Sequence, residues 1–178
     1  NNSGVLDAQA DALLRNDIGS ATLNNSGTLK KTAGAGITTF DSTTGSFTLN
    51  NTGTLDIKSG SVTIGASTFT TPGTISVKGT GAINTLTING NLTLMPGSVV
   101  NVELGGAGGA GGAPNGQFGN INVTGTASLA GTLNVATGAG YTPVTGNQFQ
   151  IINGGLVGGA FSTIHQSFPD ALSTTVTI

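Results

Sequence analysis

One short motif returns along this chain, and its spacing constrains the fold more than any other feature. Asn1-Asn2-Ser3-Gly4-Val5-Leu6 recurs as Asn24-Asn25-Ser26-Gly27-Thr28-Leu29 and as Asn50-Asn51-Thr52-Gly53-Thr54-Leu55. A degenerate copy follows at Thr71-Pro72-Gly73-Thr74-Ile75, so the offsets are 23, 26 and about 21 residues. A unit of this length cannot bury an apolar face alone and must stack on its neighbours. It suits one rung of a solenoid, two or three short strands at ~3.3 Å per residue plus turns. Within the motif, Asn and Gly suit a tight turn because they tolerate positive φ. The residues after them start an alternating strand that points Leu6, Leu29 and Leu55 inward. Stacked copies set Asn over Asn, which allows ladders of side-chain amides.

Composition narrows the function classes. Charged residues make up 7% of the 178 positions, the net charge is -2, and Lys and Arg number five. A chain with so few cations cannot neutralise a row of phosphates or bind an anionic membrane by charge. There is no cysteine, which excludes disulfides and thiolate metal sites. No apolar run approaches the ~18 residues of a membrane helix. Glycine is abundant at 31 positions, yet Val, Ile and Leu recur in short alternating runs that a disordered polar tract lacks. The chain opens without Met, inside a repeat, and is read as a piece or mature product of a longer precursor.

Beyond residue 80 the motif fades while short strands continue. Alternation predicts them at 83–88, 91–94, 100–104, 120–123, 132–135, 148–151, 161–164 and 175–178. The organisation is therefore repeat rungs over 1–104, a glycine-rich loop over 105–116 and further rungs of the same domain over 117–178. Asp7 to Asp17 has two readings: a capping helix, with Ala8, Ala12, Leu13 and Leu14 as helix formers, or a wider rung.

The Asn-Asn-Ser-Gly-Thr-Leu rungs resemble repeats of filamentous-haemagglutinin-like and autotransporter passenger proteins of bacteria. The stretch from Leu92 to Phe161 is similar to the final rungs of such passenger domains. It carries Val102-Glu103-Leu104-Gly105-Gly106, Phe118-Gly119-Asn120-Ile121-Asn122-Val123, Leu129-Ala130-Gly131-Thr132-Leu133-Asn134-Val135 and Gly146-Asn147-Gln148-Phe149-Gln150-Ile151. The resemblance implies an all-β, right-handed parallel β-helix with rungs of about 20–26 residues. It also implies export to the cell surface and a structural or adhesive role. It carries over no catalytic residue, because the matched positions belong to strands and turns.

Reactive groups are sparse, and each has an ordinary explanation. Gly106 to Gly111 satisfies Gly-x-Gly-x-x-Gly, but a dinucleotide site needs a helix N-terminus straight after the glycines, and Pro114 follows instead. His165 is the single histidine; Ser162, Ser167 and Asp170 are its neighbours in sequence, and a surface or turn position accounts for it. Asp41 and Asp56 could lie one rung apart, near Lys30, Lys31, Lys58 and Lys78, as a carbohydrate-cleaving β-helix would require; solubilising charges explain them equally well. Asn1, Asn24, Asn50, Asn91 and Asn122 begin glycosylation sequons but also suit turns. A Thr-based ice-binding face needs Thr-x-Thr on successive rungs, and the varying rung length argues against that register. Sugar stacking has only Tyr141 to draw on.

The sequence thus predicts no catalytic, cofactor-binding or metal-binding residue and no cofactor. It points to a non-enzymatic, extracellular structural or adhesive module. Its possible partners are other copies meeting end to end and host or matrix glycans or proteins, not nucleic acid. The alternative is a carbohydrate-active β-helix enzyme, a polysaccharide lyase or hydrolase.

Overall fold

The computed structural model describes residues 1–78, 84–112, 114, 117–138, 140–168 and 175–177. Among them the protein is all-β, with one short 3₁₀ turn at Ala110–Gly112 and every strand-to-strand pairing parallel. The two predicted residues that open and close strands, Ile83 and Ile178, lie outside the described residues, as does Asp170.

Three stacks of strands run side by side. The first contains β1 (Val5–Ala8), β4 (Thr28–Lys31), β7 (Thr54–Ile57), β10 (Thr74–Val77), β13 (Val99–Leu104), β15 (Thr132–Thr137) and β18 (Thr163–Gln166). The second contains β2 (Leu13–Asn16), β5 (Ile37–Ser42), β8 (Ser61–Ile64) and β11 (Thr85–Ile88), then the first half of β14 (Asn120–Leu129) and of β17 (Ile152–Gly159). The third contains the pair β3 (Ala21–Asn25) and β6 (Phe47–Asn51), and beyond it β9 (Thr68–Thr71) and β12 (Asn91–Leu94) with the second half of β14. β14 bends between Val123 and Thr126 and so pairs with both β11 and β12, curling the second stack into the third. A last small pair, β16 (Gln148–Gln150) with β19 (Thr175–Thr177), lies apart.

Along the chain, each of the first eleven strands except β6 pairs with the strand three places on, so three strands and their corners make one rung. The first-stack register gives rungs of 23, 26, 20, 25, 33 and 31 residues. The early rungs match the predicted 20–26; the last two exceed it. Their extra length sits at corners, in 105–117 and 138–147, outside the strands. Register on the first stack is therefore undisturbed, and on the second Thr39, Thr63 and Thr87 stand in one column despite unequal rungs; one shift falls between Val123 and Thr126, where β14 bends. The register objection to a Thr grid falls away, yet among the described residues no two successive strands of one stack both carry Thr-x-Thr in register.

Inward columns form the core. Leu29, Leu55, Ile75, Val100 and Leu133 follow one another on the first stack and are all buried. Burying each such side chain stabilises by ~1.5–3 kcal/mol, which only stacked neighbours make available. Leu6 heads that column and is 39% exposed.

The segment from Asp7 to Asp17 is the wider rung, not a helix. Val5–Ala8 and Leu13–Asn16 are strands, paired residue by residue with β4 and β5. Helix propensity is worth only tenths of a kcal/mol per residue here and loses to two parallel ladders. The motif glycines also serve a different purpose from the one predicted. Gly27, Gly53 and Gly73 are not at positive φ; a Cβ on any of them would strike the backbone carbonyl of the preceding copy. Close stacking of turns, not turn conformation, demands glycine there.

Candidate functional site

Two rows of asparagine run up the corner before the first stack. In the inner row, the Asn2 Nδ2 donates to Asn25 Oδ1 at 2.7 Å, and Asn25 Nδ2 donates to Asn51 Oδ1 at 2.7 Å. Asn51 Nδ2 ends the row on Thr71 Oγ1 at 3.1 Å. Each of these nitrogens also donates to a carbonyl of the next rung, that of Thr28, Thr54 or Thr74. The second bond fixes which end of the amide faces which way. Asn25 and Asn51 are each 1% exposed, so a complete set of partners is what makes their burial tolerable. The outer row runs with the opposite polarity: Asn24 Nδ2 donates to Asn1 Oδ1 and Asn50 Nδ2 to Asn24 Oδ1.

Charges gather on the first two rungs. Arg15 grips Asp41 with two bonds, Nε to Oδ1 at 2.7 Å and Nη2 to Oδ2 at 2.9 Å. The Arg15 bond holds the Asp41 carboxyl below the usual range, against a smaller upward push from burial. Lys31 occupies an inward position and its side chain is 1% exposed. Its ammonium donates to Asp11 Oδ1 at 2.8 Å and to the Ala33 carbonyl at 2.8 Å. Asp11 is lowered chiefly by the Lys31 bond, with the Gly36 amide assisting. For Asp7, burial pushes upward, but bonds from Thr32 and Gln9 and the charge of Lys30 together bring it down.

Below these charges lies an open cavity of about 430 Å³. Leu13, Leu14, Ala21, Leu23, Phe40 and Phe47 line it, with Arg15 and Asp41 at its polar rim. It marks where the core reaches the N-terminal edge of the stack. Leu13, Leu14 and Ile18 are exposed there.

Comparison with protein-family models, curated proteins and solved structures found no match.

The residues singled out from sequence are not brought together. Asp41 lies on β5 in the second stack and Asp56 on β7 in the first, so they are not stacked one rung apart. Asp56 sits 3.3 Å from Lys58, as a solubilising pair would. His165 is exposed on β18 beside Asn134. Ser162 donates to the Gly131 carbonyl, and Ser167 accepts from the Thr137 amide. Among the described residues, no three of His, Asp and Glu are grouped to hold a metal ion, and no helix is long and apolar enough to cross a membrane. Tyr141 packs edge-on against Phe149 and donates to Asn147 Oδ1, so its ring belongs to the core margin. Burial accordingly raises its phenol. Among the glycine-rich residues described there is only a short turn at Ala110–Gly112, with Gly111 in a left-handed conformation at φ 67°.

Sequence reasoning placed Lys31 only as a basic neighbour of Asp41 and Asp56 and missed that it points inward. The signal was present: Thr28, Leu29, Lys30 and Lys31 alternate out, in, out, in. It also missed that the repeat is longer than six residues. Ala21-Thr22-Leu23-Asn24-Asn25-Ser26-Gly27-Thr28-Leu29 matches Phe47-Thr48-Leu49-Asn50-Asn51-Thr52-Gly53-Thr54-Leu55 at seven of nine places.

Proposed function

We propose that this chain is a length of right-handed parallel β-helix serving as a structural or adhesive module of a secreted bacterial surface or fibre protein. The observation that carries the reading is the residue-by-residue parallel register of the first stack through all seven of its strands, with amide ladders tying the early corners. Such stacking yields a stiff rod whose stability is a sum of rung and nearest-neighbour contributions. The right-handed reading is supported by the general preference of parallel strands joined by a crossover, ~98% right-handed. Scarce charge and Thr/Asn-rich faces suit weak, repeated, non-covalent contacts. The resemblance to passenger and haemagglutinin repeats supports the extracellular setting. The carbohydrate-cleaving alternative finds no support in the carboxylates it would need, since Asp41 is engaged by Arg15 and Asp56 lies in another stack.

Two measurements test the proposal together. Single-molecule pulling should give a stepwise, high-force unfolding pattern. A polysaccharide panel should show no cleavage. Chain cleavage abolished by Asp41→Ala would overturn the structural reading in favour of the enzyme.

A further inference from the structure

We propose that the outward face of the third stack binds ice, its two columns of hydroxyls and amides anchoring an ordered sheet of water. The face runs along the side of the rod, so it is built by interior rungs and owes nothing to either end.

It differs from the other two faces in what it lacks. Outward places hold Thr22 and Asn24 on β3, Thr48 and Asn50 on β6, and Thr68 and Thr70 on β9. Asn91 and Thr93 follow on β12, then Thr126 and Ser128 on β14. No Asp, Glu, Lys or Arg occurs in any of these strands. The first stack, by contrast, sets Asp7, Lys30 and Asp56 in one column, and the second sets Arg15 beside Asp41. Strict Thr-x-Thr is not what repeats on the third stack. An uncharged hydroxyl or carboxamide at both outward places is.

Register aligns these groups. Thr22 is level with Thr48, Asn24 with Asn50, Thr68 with Asn91, and Thr70 with both Thr93 and, beyond it, Ser128. Between β6 and β9 the strand ladder is interrupted, but two bonds between Asn51 and Thr71 keep Asn50 beside Thr70. Neighbouring strands stand ~4.7–4.9 Å apart, and alternate side chains along a strand ~6.6–6.8 Å. In tetrahedrally bonded water, oxygens ~2.7–2.8 Å apart place second neighbours at ~4.5 Å and repeat their layers at ~7.3 Å. A two-column array a few rungs long therefore runs close to an ice spacing in both directions.

The groups are also held still. Thr is stiff at χ1, Asn50 donates to Asn24, and Asn91 Oδ1 accepts from the Thr126 amide. Beneath them Phe69, Leu92 and Ala127 are fully buried. Little side-chain freedom remains to be lost against a solid surface. Other occupants fit less well. Phe47 and Phe69 point inward, so no aromatic ring is offered to a sugar. A second copy would find no apolar centre of the kind that stable protein interfaces bury.

The test freezes a solution of the full chain slowly onto a cold probe and measures the protein taken into the ice. The freezing hysteresis of a single ice crystal is read alongside. The parent should enter the ice and show hysteresis. Thr70→Lys and Thr93→Lys each place a strongly hydrated cation in the middle of the face and should lose both. Thr54→Lys, on the outward side of the first stack, should behave as the parent. Circular dichroism and the urea midpoint should stay near those of the parent in all three, since each side chain points outward. Exclusion of the parent from ice would overturn the inference. So would equal uptake of the parent and the two face variants, or equal loss in Thr54→Lys. A parent that stays out of ice but sediments with microcrystalline cellulose, or dimerises on concentration, would give the face to a glycan or a second copy and also overturn it. None of these outcomes alters the pulling or cleavage results that judge the structural reading itself.

Discussion

The early and late rungs reach the same stacked geometry by different means. From β1 to β10, turns are tight, rungs are short, and buried Asn25 and Asn51 tie corner to corner. From β13 onward the corners are interrupted by long insertions, and no asparagine row passes through them. There an aromatic cluster fills the corner, while Asn101–Asn134 and Asn122–Asn153 keep amide bonds on the strands. Phe118 meets Phe149 edge-on at 5.4 Å, and Tyr141 meets Phe149 at 6.4 Å. A corner of polar amides tolerates no insertion, because each amide must reach the next rung. An aromatic cluster bridges a gap and leaves room for loops.

Substitutions can break this contrast, the largest first. Phe149→Ala removes the hub of the late cluster from a fully buried site, and urea unfolding should show a loss of ~3–5 kcal/mol. Asn25→Ala strands the amide partners on both neighbouring rungs, and the same measurement should show ~1–3 kcal/mol. Asn24→Ala, in the exposed outer row, should stay within ~0.5 kcal/mol. If Asn24 proved as costly as Asn25, burial would not be what gives the inner row its strength.

Acid should sharpen the contrast. Asp7, Asp11 and Asp41 all have folded-state pKa values below their ordinary ones. Groups depressed on folding contribute stability that is present above the unfolded pKa, ~3.9, and lost as pH falls through the lower folded values. All three sit on the first two rungs. Exchange measured at pH 3 and below should therefore show these rungs opening before the aromatic half. Opening of both halves together would mean that the ion pairs are not local clasps. Lys31→Met tests the buried member of these clasps. Replacing a buried paired cation by an apolar chain of similar length should leave the unfolding midpoint within ~1 kcal/mol of the parent.

Much of this was legible in the sequence, for identifiable reasons. Asn91–Leu94 was predicted to the residue because alternation and flanking glycine coincide there. The Asn-over-Asn ladder followed from repeat spacing alone. Asp7 to Asp17 stayed ambiguous since Ala and Leu favour helices locally, and only pairing with Lys30, Lys31 and Phe40 decides for strand. Lys31 was hidden because a cation at an inward place is intelligible only once Asp11 and the Ala33 carbonyl are seen around it. The N-terminal cavity could not be foreseen, being a property of an edge and of Ala21 standing where the next rung has Phe47.

Confining extra length to corners has a consequence for variation in such proteins. The insertion at 105–117 leaves Asn101 bonded to Asn134 as if nothing intervened, and the one at 138–147 leaves Asn134 level with His165. Surface pattern and chain length are thereby uncoupled. Loops can be gained, lost or exchanged at these corners, and each face still displays the same columns to whatever touches it.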